Sequence, residues 1–176
     1  MENSGFYQKN RDAINFLLRG FVIYLVWSLA YRFFLKEAGI NDPLTKVVAY
    51  LSCLLSNIWD KEISVIYFGT RPYLMKGSQP LVFIDDSCNG LRLYVLFVAF
   101  YMALGRFVKE LKWIIIGIIG IFILNALRVF GLTMLALHLP GWLDFNHKYT
   151  FVIIVYAWIL VIWLKSFSKK TEALEQ

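Results

Sequence analysis

Apolar residues run almost without interruption over 88–105, 113–137 and 149–164, and again over 13–35, where Arg19 and Arg32 fall near the ends. A helix needs ~20 predominantly apolar residues to cross the ~30 Å hydrocarbon core of a bilayer. The four runs therefore predict four crossings, with the two arginines reaching for headgroups. Polar residues 1–12 and 165–176 become the two tails. Residues 44–58 follow another rhythm. Leu44, Val47, Val48, Leu51, Leu54, Leu55 and Ile58 recur at helical spacing opposite Thr45, Lys46, Ser52, Ser56 and Asn57, which predicts an amphipathic helix lying in the interface or packed on the bundle. Between 60 and 87 the pattern turns β-prone. Ile63–Phe68 and Leu81–Ile84 flank a stretch punctuated by Gly69, Arg71-Pro72, Gly77 and Pro80, and a small hairpin in an extracytoplasmic loop is expected there.

Composition sharpens this into a class. Of 176 residues, 59% are hydrophobic and 17% charged, with mean hydropathy +0.60, which is too apolar for a soluble domain. The expected fold is an all-α integral membrane helical bundle of about four transmembrane helices, forming one domain. Counting 44–58 as a crossing gives the alternative pattern, five crossings with the N-terminus outside. The first run is followed by Arg32-Phe33-Phe34 rather than a small-residue cleavage site, so it is expected to stay as an anchor. The net charge of +6 sits at helix ends, which suits anionic lipid and not nucleic acid. Arg106, Lys109 and Lys112 crowd one short loop and Lys165, Lys169 and Lys170 the C-terminal tail. Both are thus expected on the cytoplasmic side of the cytoplasmic (inner) membrane, with 60–87 and 138–148 outside.

Candidate chemistry then gathers at the outer face. Cys88 opens one apolar run within Asp85-Asp86-Ser87-Cys88-Asn89-Gly90-Leu91-Arg92. Asp85, Asp86, Ser87 and Asn89 supply helix-start chemistry, and a helix N-terminus stabilises a thiolate. Arg92, four residues on, is expected to face the same cavity. Arg128 lies sixteen residues beyond Lys112, roughly 24 Å along a helix, so it reaches the outer part of the bilayer; Asn125 shares its face. Ionisable groups at such depth usually face a protein interior or a wet cavity and mark function. His147 precedes the last run, and His138, at the end of the preceding one, competes with it. A thiol, a guanidinium and an imidazole together can perform nucleophilic acyl chemistry. Zinc chemistry would have to enlist both histidines and both cysteines without any HExxH or CxxC spacing, so no metal or cofactor is expected. Cys53 could instead form a disulfide with Cys88 in an oxidising compartment.

In order and spacing, the segments DDSCNGLR, NALRV and FNHKYTF resemble the exosortase/archaeosortase family of membrane cysteine transpeptidases over residues 80–165. The small size is similar to the compact exosortase F-type subfamily. The resemblance implies Cys88 as nucleophile, Arg128 as oxyanion or substrate-binding group and His147 as general acid/base, with Asn125, Arg92, Asp85, Asp86 and Asn89 in support. Substrates would be surface-destined proteins ending in a sorting motif, a transmembrane helix and a basic tail. A non-catalytic membrane subunit is the first rival reading. A membrane lipid phosphatase is the second, and it lacks its PSGH-type element.

The charge pattern makes a topological prediction. A reporter fused within 106–112 reads cytoplasmic, while reporters near residues 75 and 144 read outside. Finding 75 and 106–112 on one side would remove the crossing between them.

Overall fold

The computed structural model of the chain describes residues 3–36, 38–39, 41–85 and 88–172, with side chains described from Asn10 to Ser166. Helix α1 runs Asn3–Ala30 and continues as a wider turn, Tyr31–Leu35, in which Lys36 N–H reaches back to Tyr31 O at 3.0 Å. Helix α2 is Asn41–Ser56. Strands β1 (Ile63–Phe68), β2 (Arg71–Lys76) and β3 (Gln79–Phe83) follow. Then come α3 (Leu91–Ala103), α4 (Leu111–His138), a short α5 (Leu143–Phe145) entered by a 3₁₀ turn at Pro140–Trp142, a wide turn Asn146–Thr150, and α6 (Phe151–Glu172).

Three helical segments are long and apolar enough to cross a membrane: Asn10–Leu35, Leu111–His138 and Pro140–Ser166. Helix α4 is the hub, packing against α2, α3, α6 and β3. Its outward positions Ile115, Ile119, Ile123 and Leu127 recur every fourth residue and are bare. With Phe21 and Val26 on α1 and Ile153, Leu160 and Leu164 on α6, they make an apolar exterior of the kind that lipid covers. Inside, Phe97 and Tyr101 of α3, Ile114 and Ile121 of α4, and Val155, Ile159 and Ile162 of α6 form one core. A second core joins Val48, Ala49 and Cys53 of α2 to Val129 of α4 and to Ile63, Leu74 and Ile84 from the sheet region.

Four expectations change. The crossing expected over 88–105 is a helix of only 13 residues, about 20 Å long at 1.5 Å per residue. It starts late because Gly90 adopts φ 81, a left-handed conformation that blocks helix through Cys88 and favours glycine. The expected hairpin is a three-stranded antiparallel sheet, β1-β2-β3. Its middle strand was hidden by Pro72, which lacks the N–H of a ladder residue; here the Pro72 carbonyl still accepts from Ile84 N–H at 3.0 Å. The sheet also makes the fold not purely helical. Helix α1 begins at Asn3, inside the expected 1–12 tail.

Helix α2 buries a mixed face, with Asn41, Thr45, Ser52 and Ser56 inside beside Val48, Ala49 and Cys53, while Val47, Tyr50 and Leu54 face out. Ser52 Oγ donates to Val48 O at 2.7 Å within α2 and lies 3.0 Å from Ala126 O of α4. Where lipid surrounds a helix, its apolar face loses nothing by staying outside, and hydroxyls find partners only inside. Of the two placements expected for this helix, interfacial or packed on the bundle, the structure shows packing on the bundle.

The two ends of the bundle differ. At one end, the 104–110 connection is closed by buried Glu110, which pairs with Arg106 and accepts from Ser166 Oγ at 3.0 Å. At the other lie the sheet, the 84–90 turn and the 139–150 connection, with Lys76 and Asp60 paired at 2.5 Å across the sheet.

Helix α3 approaches α4 at Gly117, where a Cβ would fall 2.1 Å from Phe97 Cζ. Gly117→Ala should destabilise the protein by about 1–3 kcal/mol through overpacking, read as a lower thermal midpoint in detergent. Gly141→Ala, with nothing within 4 Å of its Cβ position, should leave the midpoint unchanged.

Candidate active site

The 84–90 turn is held from two sides by amides. Asn125, fully buried on α4, donates from Nδ2 to the Cys88 carbonyl at 2.6 Å. Asn89, equally buried, donates to Asn41 Oδ1 at 3.0 Å and lies 3.1 Å from Thr45 Oγ1 on α2, and its own Oδ1 accepts the Leu91 N–H at 2.9 Å. Cys88 N–H closes the turn onto Asp85 O at 2.7 Å. Gly90 is set here by its left-handed φ of 81, since a Cβ would meet Asn125 Cγ only at an ordinary 3.5 Å contact. Helix-start chemistry thus falls on Asn89, not on Asp85, and Cys88 precedes α3 by three residues. Asp86 and Ser87 lie outside the described residues.

Opposite this turn, the wide helical turn Asn146–Thr150 carries His147. Its Nε2 stands 3.9 Å from Cys88 Sγ. Thiol and imidazole share a cavity of about 300 Å³ walled by Leu81, Val82 and Phe83 of β3, Leu132 of α4, Leu143, Asp85 and Asp144. Asp144 is paired with Lys148 at 2.7 Å on the exposed side. The walls are mostly apolar and the polar groups few, which is the ordinary make-up of a small-molecule or peptide site.

Arg128 lies on the α4 face that carries Asn125 one turn before it and the cavity residue Leu132 one turn after. It is half-buried and close enough to His147 to act on it electrostatically. Its Nε and the Asn125 Oδ1 are buried without a hydrogen-bond partner among the described residues. Such orphaned groups are few in folded proteins and call for an occupant. Asn125 Nδ2 holds the Cys88 carbonyl, while its Oδ1 is left facing the site without a partner among the described residues.

The structure therefore brings Cys88, His147, Arg128, Asn125 and Asp85 to one end of the bundle. Arg92 is not with them. It points to a separate cavity beside α1, because the chain reverses at Gly90 and the four-residue helical spacing from Cys88 does not apply. His138 is exposed and acts on Asp60, away from the thiol. Asn41 and Thr45, which clamp Asn89, were not foreseen as site residues; the polar stripe of α2 in so apolar a chain was their signal. Among the described residues no three His, Cys, Asp or Glu side chains converge as a metal site.

The two cysteines differ in kind. Cys53 is buried, with its thiol 3.4 Å from Ile63 O, and no disulfide joins it to Cys88. Burial pushes the Cys53 thiol up, partly opposed by Asn57, so it stays protonated at neutral pH and is a poor nucleophile. A water-soluble maleimide at neutral pH should alkylate Cys88 ahead of Cys53, measured by peptide mass spectrometry of the folded protein. Equal labelling of both would show that the cavity does not expose Cys88 selectively. No family model matches the chain, and no curated protein or solved structure is significantly similar to it, so the geometry of this site carries the functional reading.

Proposed function

We propose that the protein is a membrane-embedded cysteine peptidase or transpeptidase that cleaves C-terminal sorting signals of surface-destined proteins at the outer face of the cytoplasmic membrane. The observation that carries this reading is the Cys88 Sγ to His147 Nε2 approach of 3.9 Å inside a walled cavity. That distance is loose for proton transfer, but catalytic hydrogen bonds commonly tighten once substrate is bound. The partly buried cation of Arg128 beside the pair adds the third group. The resemblance of the three motif segments to exosortases supports the same assignment.

In this mechanism His147 accepts the Cys88 proton and the sulfur attacks a peptide carbonyl carbon. A C–S bond forms and the carbonyl oxygen becomes an oxyanion. Arg128 donates hydrogen bonds to that oxyanion through its planar guanidinium. Collapse breaks the C–N bond, and His147 returns its proton to the leaving amine. The thioester is then resolved by an acceptor amine or hydroxyl, or by water. His147 takes the attacking group's proton, the C–S bond breaks as the second oxyanion collapses, and His147 returns the proton to the sulfur to restore the thiol. Asn125 keeps the Cys88 carbonyl, and with it the thiol, in register with the imidazole.

The test is the cleaved fraction of a co-expressed protein bearing a C-terminal helix and basic tail, at matched enzyme level. Cys88→Ala should abolish cleavage and Cys53→Ser should preserve it. Arg128→Lys should keep insertion but lower the rate by about a hundredfold or more, because an ammonium lacks the paired guanidinium donors. Full activity in Cys88→Ala would end the enzyme reading and favour a non-catalytic subunit. Near-normal activity in Arg128→Lys would reduce Arg128 to an interfacial anchor.

A further inference from the structure

On the side of α3 facing α1 lies a second cavity, of about 260 Å³. Helix α1 contributes Tyr24, Trp27 and Ser28, its wide turn contributes Tyr31, and α3 contributes Arg92. The α1 residues recur at three and four positions, so one stripe of the helix supplies them all. The stripe ends in the i→i+5 turn at Tyr31–Leu35, a rare deformation that is frequent at functional sites. Asn41 closes the cavity, bonded to the Tyr31 hydroxyl on one side and to Asn89 on the other.

The polar groups here are one-sided. A guanidinium, an indole N–H and three hydroxyls can donate, whereas among the described residues no carboxylate lines the cavity. The one amide oxygen, Asn41 Oδ1, already accepts from Asn89. Among the described residues no ion pair includes Arg92. A site rich in donors around an uncompensated guanidinium selects an anion rich in acceptors, and the fork of an arginine matches phosphate oxygens two at a time. The setting agrees. Tryptophan and tyrosine gather where headgroups meet hydrocarbon, and this cavity opens at the sheet-bearing end of the bundle, beside the start of α3.

We infer that this cavity binds a phosphate group, with Arg92 as the principal contact and Tyr24, Trp27 and Ser28 as further donors. The phosphate is that of a phospholipid headgroup or free inorganic phosphate. The site is distinct from the Cys88–His147 cavity and lies behind the same turn, to which Asn41 and Asn89 connect it. Its occupancy does not depend on the catalytic reading, so each stands or falls separately.

The test uses the full-length protein in neutral detergent, examined by native mass spectrometry with three probes. These are dioleoylphosphatidylglycerol, dioleoylglycerol (the same chains without phosphate) and inorganic phosphate alone. The phospholipid should be retained and the diacylglycerol lost. Arg92→Gln should weaken phospholipid binding about tenfold or more, the loss expected for a bidentate charged contact. Arg32→Gln, an exposed neighbour outside the cavity lining, should change it little. Tyr24→Phe, which keeps the ring and removes one donor, should weaken it more mildly and serves if Arg92→Gln does not fold. Retention of free phosphate with displacement of the lipid identifies a soluble ligand for the same site. Equal retention of the diacylglycerol, wild-type binding by both Arg92→Gln and Tyr24→Phe, or equal loss in Arg32→Gln and Arg92→Gln would overturn the inference.

Discussion

The clamp that two buried asparagines place on the 84–90 turn is what the candidate site depends on. In a chain this apolar, an unpaired peptide group inside the bundle costs about 1–3 kcal/mol, and the Cys88 carbonyl would be one without Asn125. By accepting at 2.6 Å it ties the thiol-bearing turn to the helix that packs against the most other elements. Asn89 does the same towards α2, through Asn41 and Thr45. Cys88 and Asn89 are thus each tied by a side-chain amide to a different helix, and the thiol faces His147 from that anchored pair.

The arrangement explains why α2 buries Asn41, Thr45, Ser52 and Ser56 alongside Val48, Ala49 and Cys53. A helix that looks amphipathic for water, with its apolar face inward, would put Thr45 and Asn41 at the surface and leave Asn89 without partners. With hydrocarbon outside, the apolar face is indifferent to exposure and the hydroxyls and amides go where acceptors are. The same logic accounts for the shortness of α3. The chain must stop being helical at Gly90 to deliver Cys88 into the turn. About 20 Å of helix then remains between the clamp and the Arg106–Glu110 pair at the other end.

Placing the clamp between two cavities has a functional sense. One cavity, with apolar walls from β3, α4 and α5, holds the thiol and imidazole. The other, with donor groups from α1 and α3, holds Arg92. Cys88 serves one cavity, Asn89 the clamp itself and Arg92 the other cavity. A motif that looks like a single signature is thus divided in space among a thiol, a scaffold and a separate cation.

Much of this was legible in the residues. Long apolar runs are reports of local physical preference, so the three spanning-length helices follow from the chain alone. So does the polar content of the Cys88, Arg128 and His147 segments, because ionisable groups in such surroundings need a reason to be there. What the chain could not say is which partner each group meets. Periodicity reveals that α2 has two faces but not whether water or lipid lies outside, and that choice decides which face is buried. Proline hid β2, because ladder pairing depends on the neighbours as much as on the strand's own residues. The selection of His147 over His138, and the separation of Arg92 from Cys88, turn on how helices distant in sequence pack and on one left-handed glycine. Local preferences are set residue by residue, whereas distances across a bundle are set by packing all of its helices at once.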